Sequence, residues 1–148
     1  MDPIGSSTTW RWYGYENSWA NVDGTKVQSV SGGGHSGGGI FINTKDHARF
    51  GLLFLSQGNW NGKQLISEQW IEEVRVPSNA NESYGYMWWL NRGQRKWEGV
   101  SEKVYYAAGL DGNYIIVDQD RNLVIVTRWL EPSKIGEFVK KVIASIPD

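Results

Sequence analysis

Tyr105-Tyr106-Ala107-Ala108-Gly109-Leu110-Asp111-Gly112-Asn113, running on as Tyr114-Ile115-Ile116-Val117-Asp118, is the stretch that decides the reading of this chain. A short apolar strand reaches a glycine break and passes directly into a second β-rich run. The layout suits an edge strand whose main-chain N–H groups line a reaction site.

Outward from that centre, the second half of the chain reads mostly as strand. Val104–Ala108, Tyr114–Asp118 and Leu123–Trp129 are three strands, the last two joined by a turn at Gln119-Asp120-Arg121-Asn122. Tyr84–Leu90 is aromatic and continuous, which predicts a strand buried on both faces. Asn91–Gly99 is a charged loop with Arg92, Arg95 and Lys96. Pro132 and Ser133 open a terminal helix that puts Ile135, Phe138, Val139, Val142, Ile143 and Ile146 on one face.

Two further helices precede these strands. Thr44 is the expected cap of a helix with Ala48, Phe50, Leu52, Leu53, Phe54 and Leu55 on a wide apolar face, ended by Gly58. Ser67 caps a second helix through Val74, with Glu68 in the first turn where the helix dipole favours it. Asn61-Gly62 is a turn. Asp23-Gly24 joins Ser18–Val22 to Lys26–Val30 as a hairpin. Gly32-Gly33-Gly34-His35-Ser36-Gly37-Gly38-Gly39 cannot be helix interior. Its match to G-x-G-x-x-G lacks the following helix and βαβ unit that a dinucleotide site requires. The expected class is α+β: an antiparallel sheet with the C-terminal helix packed on it, two more helices and glycine-rich loops.

Composition narrows the function. In 148 residues the hydrophobic fraction is 40% and the net charge −1, so no electrostatic footprint points to nucleic acid. No apolar run approaches the roughly 20 residues that span a bilayer, so no membrane partner is expected. Cysteine is absent, which removes thiol chemistry and thiolate metal sites and leaves the compartment open. His35 and His47 lie twelve apart and lack zinc-site spacing, so neither a metal nor a cofactor is expected. Nine tryptophans fit an aromatic core or cleft wall, with Trp10, Trp12, Trp88 and Trp89 as wall candidates. Asp46 and Arg49 share a helix face as an ion pair or cap, and His47 reads as a helix-surface residue.

Four segments, in order, resemble the C-terminal half of serine β-lactamase and penicillin-binding-protein-like hydrolases, in their class C β-lactamase, esterase and 6-aminohexanoate-dimer hydrolase branch. Pro3-Ile4-Gly5 with Thr8 or Thr9 is similar to P-L-G-M-x-x-T. Gly37-Gly38-Gly39-Ile40 through Thr44-Lys45-Asp46-His47-Ala48-Arg49-Phe50-Gly51 is similar to A-G-G-L-x-S-T-A-x-D-L-A-R-F-G. Asn61-Gly62-Lys63-Gln64-Leu65-Ile66-Ser67 resembles N-G-K-x-L-(L/I)-S, and Tyr84-Gly85-Tyr86-Met87-Trp88-Trp89 resembles the family's Y-G-(Y/L)-G/M-W strand.

The resemblance implies a partial β-lactamase/transpeptidase-like fold. It makes residues 1–148 the C-terminal portion of a larger hydrolase domain of bacterial type, periplasmic or cytoplasmic. It implies acylation of a serine and release by water. No serine here has a lysine three positions on, so the S-x-x-K nucleophile is not in this chain; Tyr15-Glu16-Asn17 matches Y-x-N only in letters. The partner implied is a missing N-terminal half carrying serine, lysine and tyrosine, and this chain alone is expected to be inactive. The family's K-T-G maps to Ala107-Ala108-Gly109, without its cation, which favours uncharged ester or amide substrates. By the same resemblance the Leu110 main-chain N–H is the oxyanion donor. Ala107, Ala108, Gly109 and Gly112 line the substrate. His35, in the glycine-rich loop, reads either as a pocket-lining residue or as loop structure. Two alternatives stay open: a self-associating fragment with an apolar face, and an aromatic-rich module for sugar or peptide.

Overall fold

The computed structural model describes residues 1–13, 19–28 and 39–146. Its centre is a four-stranded antiparallel sheet of order β10-β9-β8-β7, made of β7 (Trp89–Leu90), β8 (Tyr105–Gly109), β9 (Asn113–Asp118) and β10 (Leu123–Thr127). Strand β9 pairs along its length on both sides, with Tyr106↔Ile116 and Ile125↔Ile116 fixing the registers. The expected α+β class is the one observed.

Side chains alternate across the sheet and both faces are covered, which is why β9 reads as an unbroken apolar run. Tyr106, Tyr114, Ile116 and Ile125 pack with Ile135 and Val139 of the terminal helix α3 (Ile135–Ala144). Tyr105, Ile115 and Val117 pack on the other face. There they meet Phe54 of α1 (Thr44–Leu55) and Ile71 of α2 (Glu68–Glu73). Ile71, Ile135 and Val139 have no exposed surface, and full burial of such a side chain contributes roughly 1.5–3 kcal/mol. Gly51 sets how closely α1 approaches. A Cβ there would stand 2.6 Å from Val124 Cγ1 and 2.8 Å from Ile115 Cγ2.

Three two-stranded antiparallel pairs complete the fold. Strand β1 (Arg11–Tyr13) pairs with β4 (Gly39–Phe41), β2 (Trp19–Val22) with β3 (Thr25–Gln28), and β5 (Asn59–Trp60) with β6 (Lys63–Gln64). The second and third turn on Asp23-Gly24 and Asn61-Gly62, all four residues at positive φ, as a two-residue type I′ turn requires.

Several expectations are corrected. Tyr84–Leu90 is not one buried strand. Met87 takes φ 66° and is exposed, Tyr86 is exposed, and only Trp89–Leu90 pairs in the sheet. The helix from Thr44 is capped by Asn43, whose side-chain oxygen accepts from the Asp46 N–H at 2.9 Å, and it ends at Leu55. Gln57 is left-handed, and the Gly58 N–H bonds the Leu53 carbonyl at 2.8 Å, a Schellman closure one turn beyond the helix. The last strand stops at Thr127 because Trp129 takes φ 57° and turns out to solvent. No helix among the described residues is long and apolar enough to cross a membrane.

Candidate active site

Strand β8 changes character along its length. Trp89 and Leu90 of β7 pair with Tyr106 and Tyr105, and there β7 ends. The backbone turns at Met87, and the ring of Trp88 goes inward beside Phe50, Phe54 and Tyr105 rather than continuing along β8. Ala107, Ala108 and Gly109 therefore pair with β9 on one side, while no strand among the described residues pairs with them on the other. Tyr105 is wholly buried, Ala107 half-buried, and Ala108, Gly109 and Leu110 exposed, Leu110 at 78%.

A short turn, Leu110–Gly112, carries the chain from β8 to β9. Asp111 takes φ 53° and Gly112 φ 72°. A Cβ on Gly112 would stand 1.6 Å from the Leu130 carbonyl oxygen, so only glycine fits there. The Thr127 hydroxyl donates to the buried Gly112 carbonyl at 2.8 Å, and the Asn113 side-chain amide donates to the Leu110 carbonyl. Arg128 donates from Nε to Asn113 Oδ1 at 2.7 Å and from Nη1 to the Ile42 carbonyl at 2.6 Å.

The structure thus brings Ala107, Ala108, Gly109, Leu110 and Gly112 together at one open strand end. His35 and Tyr15-Glu16-Asn17 lie outside the described residues. His47 is half-buried, not a helix-surface residue. Desolvation, and then the charge of Arg128, lower its pKa to about 4, and its Nδ1 has no hydrogen-bond partner among the described residues. Asp46 and Arg49 form the expected pair at 2.7 Å. The same carboxylate also holds Ser7 and Asn43, an anchorage local sequence did not reveal.

The two tyrosines of β8 stay protonated at neutral pH. Burial, then repulsion from Tyr114, pushes the Tyr106 phenol up to about 12, and burial raises Tyr105 further. Among the described residues, the serine hydroxyls bond carboxylates, backbone carbonyls, the backbone N–H groups of Trp70, Asn81 and Lys103, and the Thr9 and Asn43 side chains; none of these bonds reaches a lysine, histidine or tyrosine side chain. No group of three or more His, Asp or Glu among them could hold a metal. A groove of about 680 Å³, lined among others by Gln94, Ser101, Asp120 and Arg121, lies at the β9–β10 turn, the opposite end of β8 from Gly109. What the open strand end offers chemically is a run of exposed residues, with no serine hydroxyl bonded to a lysine, histidine or tyrosine side chain among the described residues.

No protein-family model matches the chain, and no curated protein matches it. Solved structures do match. One is a Bacillus anthracis protein assigned as a 6-aminohexanoate-dimer hydrolase, with TM-score 0.53 and 21% identity over 72% of this chain. Over the matched part the chain shares that protein's fold. It spans only 29% of the matched protein's length. This agrees with the expected partial β-lactamase-like architecture: antiparallel sheet, terminal helix on one face, two helices on the other.

Proposed function

We propose that this chain is the C-terminal portion of a β-lactamase-fold serine hydrolase acting on uncharged esters or amides. In this reading Gly109-Leu110 forms the oxyanion side of the site. The observation that supports it most is the open half of β8: the strand end that the sequence assigns to the reaction emerges from the sheet, loses its outer partner and exposes Leu110.

In the reaction so assigned, a serine outside these residues attacks the carbonyl carbon. The Leu110 N–H donates to the oxygen as it becomes negative. Such a donor stabilises the transition state by roughly 2.7–4 kcal/mol, because it is already oriented when the charge develops. Collapse expels the alcohol or amine, and water then releases the acid from the acyl-serine. Ala107 offers no cation, and Arg128 is engaged by Asn113 and Ile42, so no free positive side chain is available from either for a substrate carboxylate.

The test is turnover of 4-nitrophenyl acetate. The chain alone should not exceed a heat-treated control. Co-expressed with the coding sequence upstream of residue 1, it should show turnover and fluorophosphonate labelling on a serine outside residues 1–148. Turnover by the chain alone, or an assembly that is neither active nor labelled, would overturn the proposal.

A second reading rests on a different observation. Trp70 and Tyr86 are in ring contact at 5.2 Å, Tyr84 and Trp89 at 4.7 Å, and Tyr86, Met87 and Trp70 are exposed. Contiguous apolar surface of this kind favours self-association of the isolated chain. Light scattering across a concentration series separates the readings, since a mass that never rises removes this one.

A further inference from the structure

The Leu110 turn has a feature that neither the fold nor the catalytic reading requires: an asparagine whose orientation is dictated by an arginine. Asn113 stands between the Leu110 carbonyl and Arg128. A side-chain amide can present either its oxygen or its NH₂ to a neighbour. A guanidinium, however, carries only donors. With Arg128 Nε 2.7 Å from Oδ1, the Asn113 oxygen must face Arg128, and its NH₂ is left to face the Leu110 carbonyl. Arg128 is itself held on its far side by the Ile42 carbonyl, 86 residues away in sequence and just before α1.

The consequence falls on Leu110. Its preceding peptide is tied through Gly109, paired with Asn113 on β9, and its following peptide is tied through its carbonyl to the Asn113 side chain. With both peptides fixed, the direction of the Leu110 N–H is fixed. Asp111 holds its left-handed φ of 53° inside the closed turn, a conformation that persists in a non-glycine residue only when its surroundings over-determine it. We propose that Arg128, acting through Asn113, is a positioning residue for the Leu110 donor. The inference rests on the hydrolase reading and adds a residue that the strand motif does not contain.

Two substitutions separate positioning from mere anchorage. Arg128→Gln removes the charge that orients Asn113. Asn113→Asp keeps and strengthens the link to Arg128, yet removes the side-chain donor to the Leu110 carbonyl. Backbone ¹⁵N relaxation on the 148-residue chain reads the result. Order parameters at Leu110 and Asp111 should fall from about 0.85 to below about 0.6 in both variants. Ile115–Val117 should stay rigid, and Asn113→Asp should melt no lower than wild type. In the complemented assembly, both variants should lose about 10–100-fold in kcat per labelled serine with KM within about twofold, the scale of a slightly misplaced catalytic group. A turn that stays rigid in both variants overturns the inference. So does loosening in Arg128→Gln alone, or loss of order that spreads through the sheet as stability falls. An active wild-type assembly with unchanged variants counts against this inference alone; an inert wild-type assembly counts against the hydrolase reading beneath it.

Discussion

The backbone N–H and the hydroxyl of Ser7 both donate to one carboxylate oxygen of Asp46, at 3.0 and 2.6 Å, across 39 residues of sequence. Asn43 donates to the same oxygen at 2.7 Å and Arg49 to the other at 2.7 Å, so the buried carboxylate ties the N-terminal turn to the first turn of α1. The Ser7 hydroxyl, foremost among these contacts, holds the Asp46 pKa below its ordinary value. A carboxyl depressed in the folded state stabilises above its unfolded pKa and loses that contribution as pH falls through the folded value. Ser7→Ala should lower Tm at pH 7 and flatten the decline of Tm below about pH 4. An unchanged acid limb in a pH series of thermal melts would contradict the assignment.

His47 gives a separate window. Its folded pKa of about 4 lies below the ordinary 6.5, so the unfolded chain binds the extra proton first. The histidine therefore costs stability progressively as pH falls from about 6.5 to about 4, and no further below that. Replacing it with Gln should remove the slope in that interval and leave the Asp46 effect beneath it. An unaltered slope between those two values in chemical denaturation would show that the imidazole is not desolvated.

Gly51 is read in the sequence as part of a helix motif, and the structure gives its physical reason. Gly51→Ala drives a methyl group into Val124 and Ile115 at 2.6 and 2.8 Å. Overpacking of this kind costs about 1–3 kcal/mol, although alanine is the better helix former. Urea denaturation should show the loss; a stabilised variant would mean that α1 slides off β9 and β10 without penalty.

Asn91 organises the loop before β8. It has no exposed surface, donates to the Trp97 and Val100 carbonyls at 3.2 and 3.0 Å, and accepts the Trp97 N–H at 2.9 Å. Asn91→Ala leaves these buried groups without partners, at a cost of about 2–3 kcal/mol, and should shift the emission of Trp97 to the red. A loss below about 0.5 kcal/mol would indicate that water replaces the side chain.

What the sequence disclosed follows from range. Local chemistry was legible: Asn61-Gly62 and Asp23-Gly24 as two-residue turns, Ser67 as a cap whose hydroxyl accepts from the Trp70 N–H, and the apolar period of α3. Features set by distant partners were not. Nothing local pairs Arg11 with Phe41, and the charges of Asn91–Gly99 hid the buried amide that shapes that loop. Met87 sits in an aromatic run, and its left-handed φ is a consequence of Trp88 turning into the core. At the candidate site, the glycine break and strand end were readable because they are contiguous. The Arg128 contact with Asn113 was not, since it is made by side chains across the open end of the β9–β10 hairpin, beyond the last paired residues.

The most direct measurement is the position of a trapped oxyanion. The complemented assembly, inhibited with a phosphonate and crystallised, should place a phosphoryl oxygen about 2.7–3.1 Å from the Leu110 nitrogen, with the phosphorus bonded to a serine outside residues 1–148. A phosphoryl oxygen held by other donors, with Leu110 N turned away from it, would contradict the account.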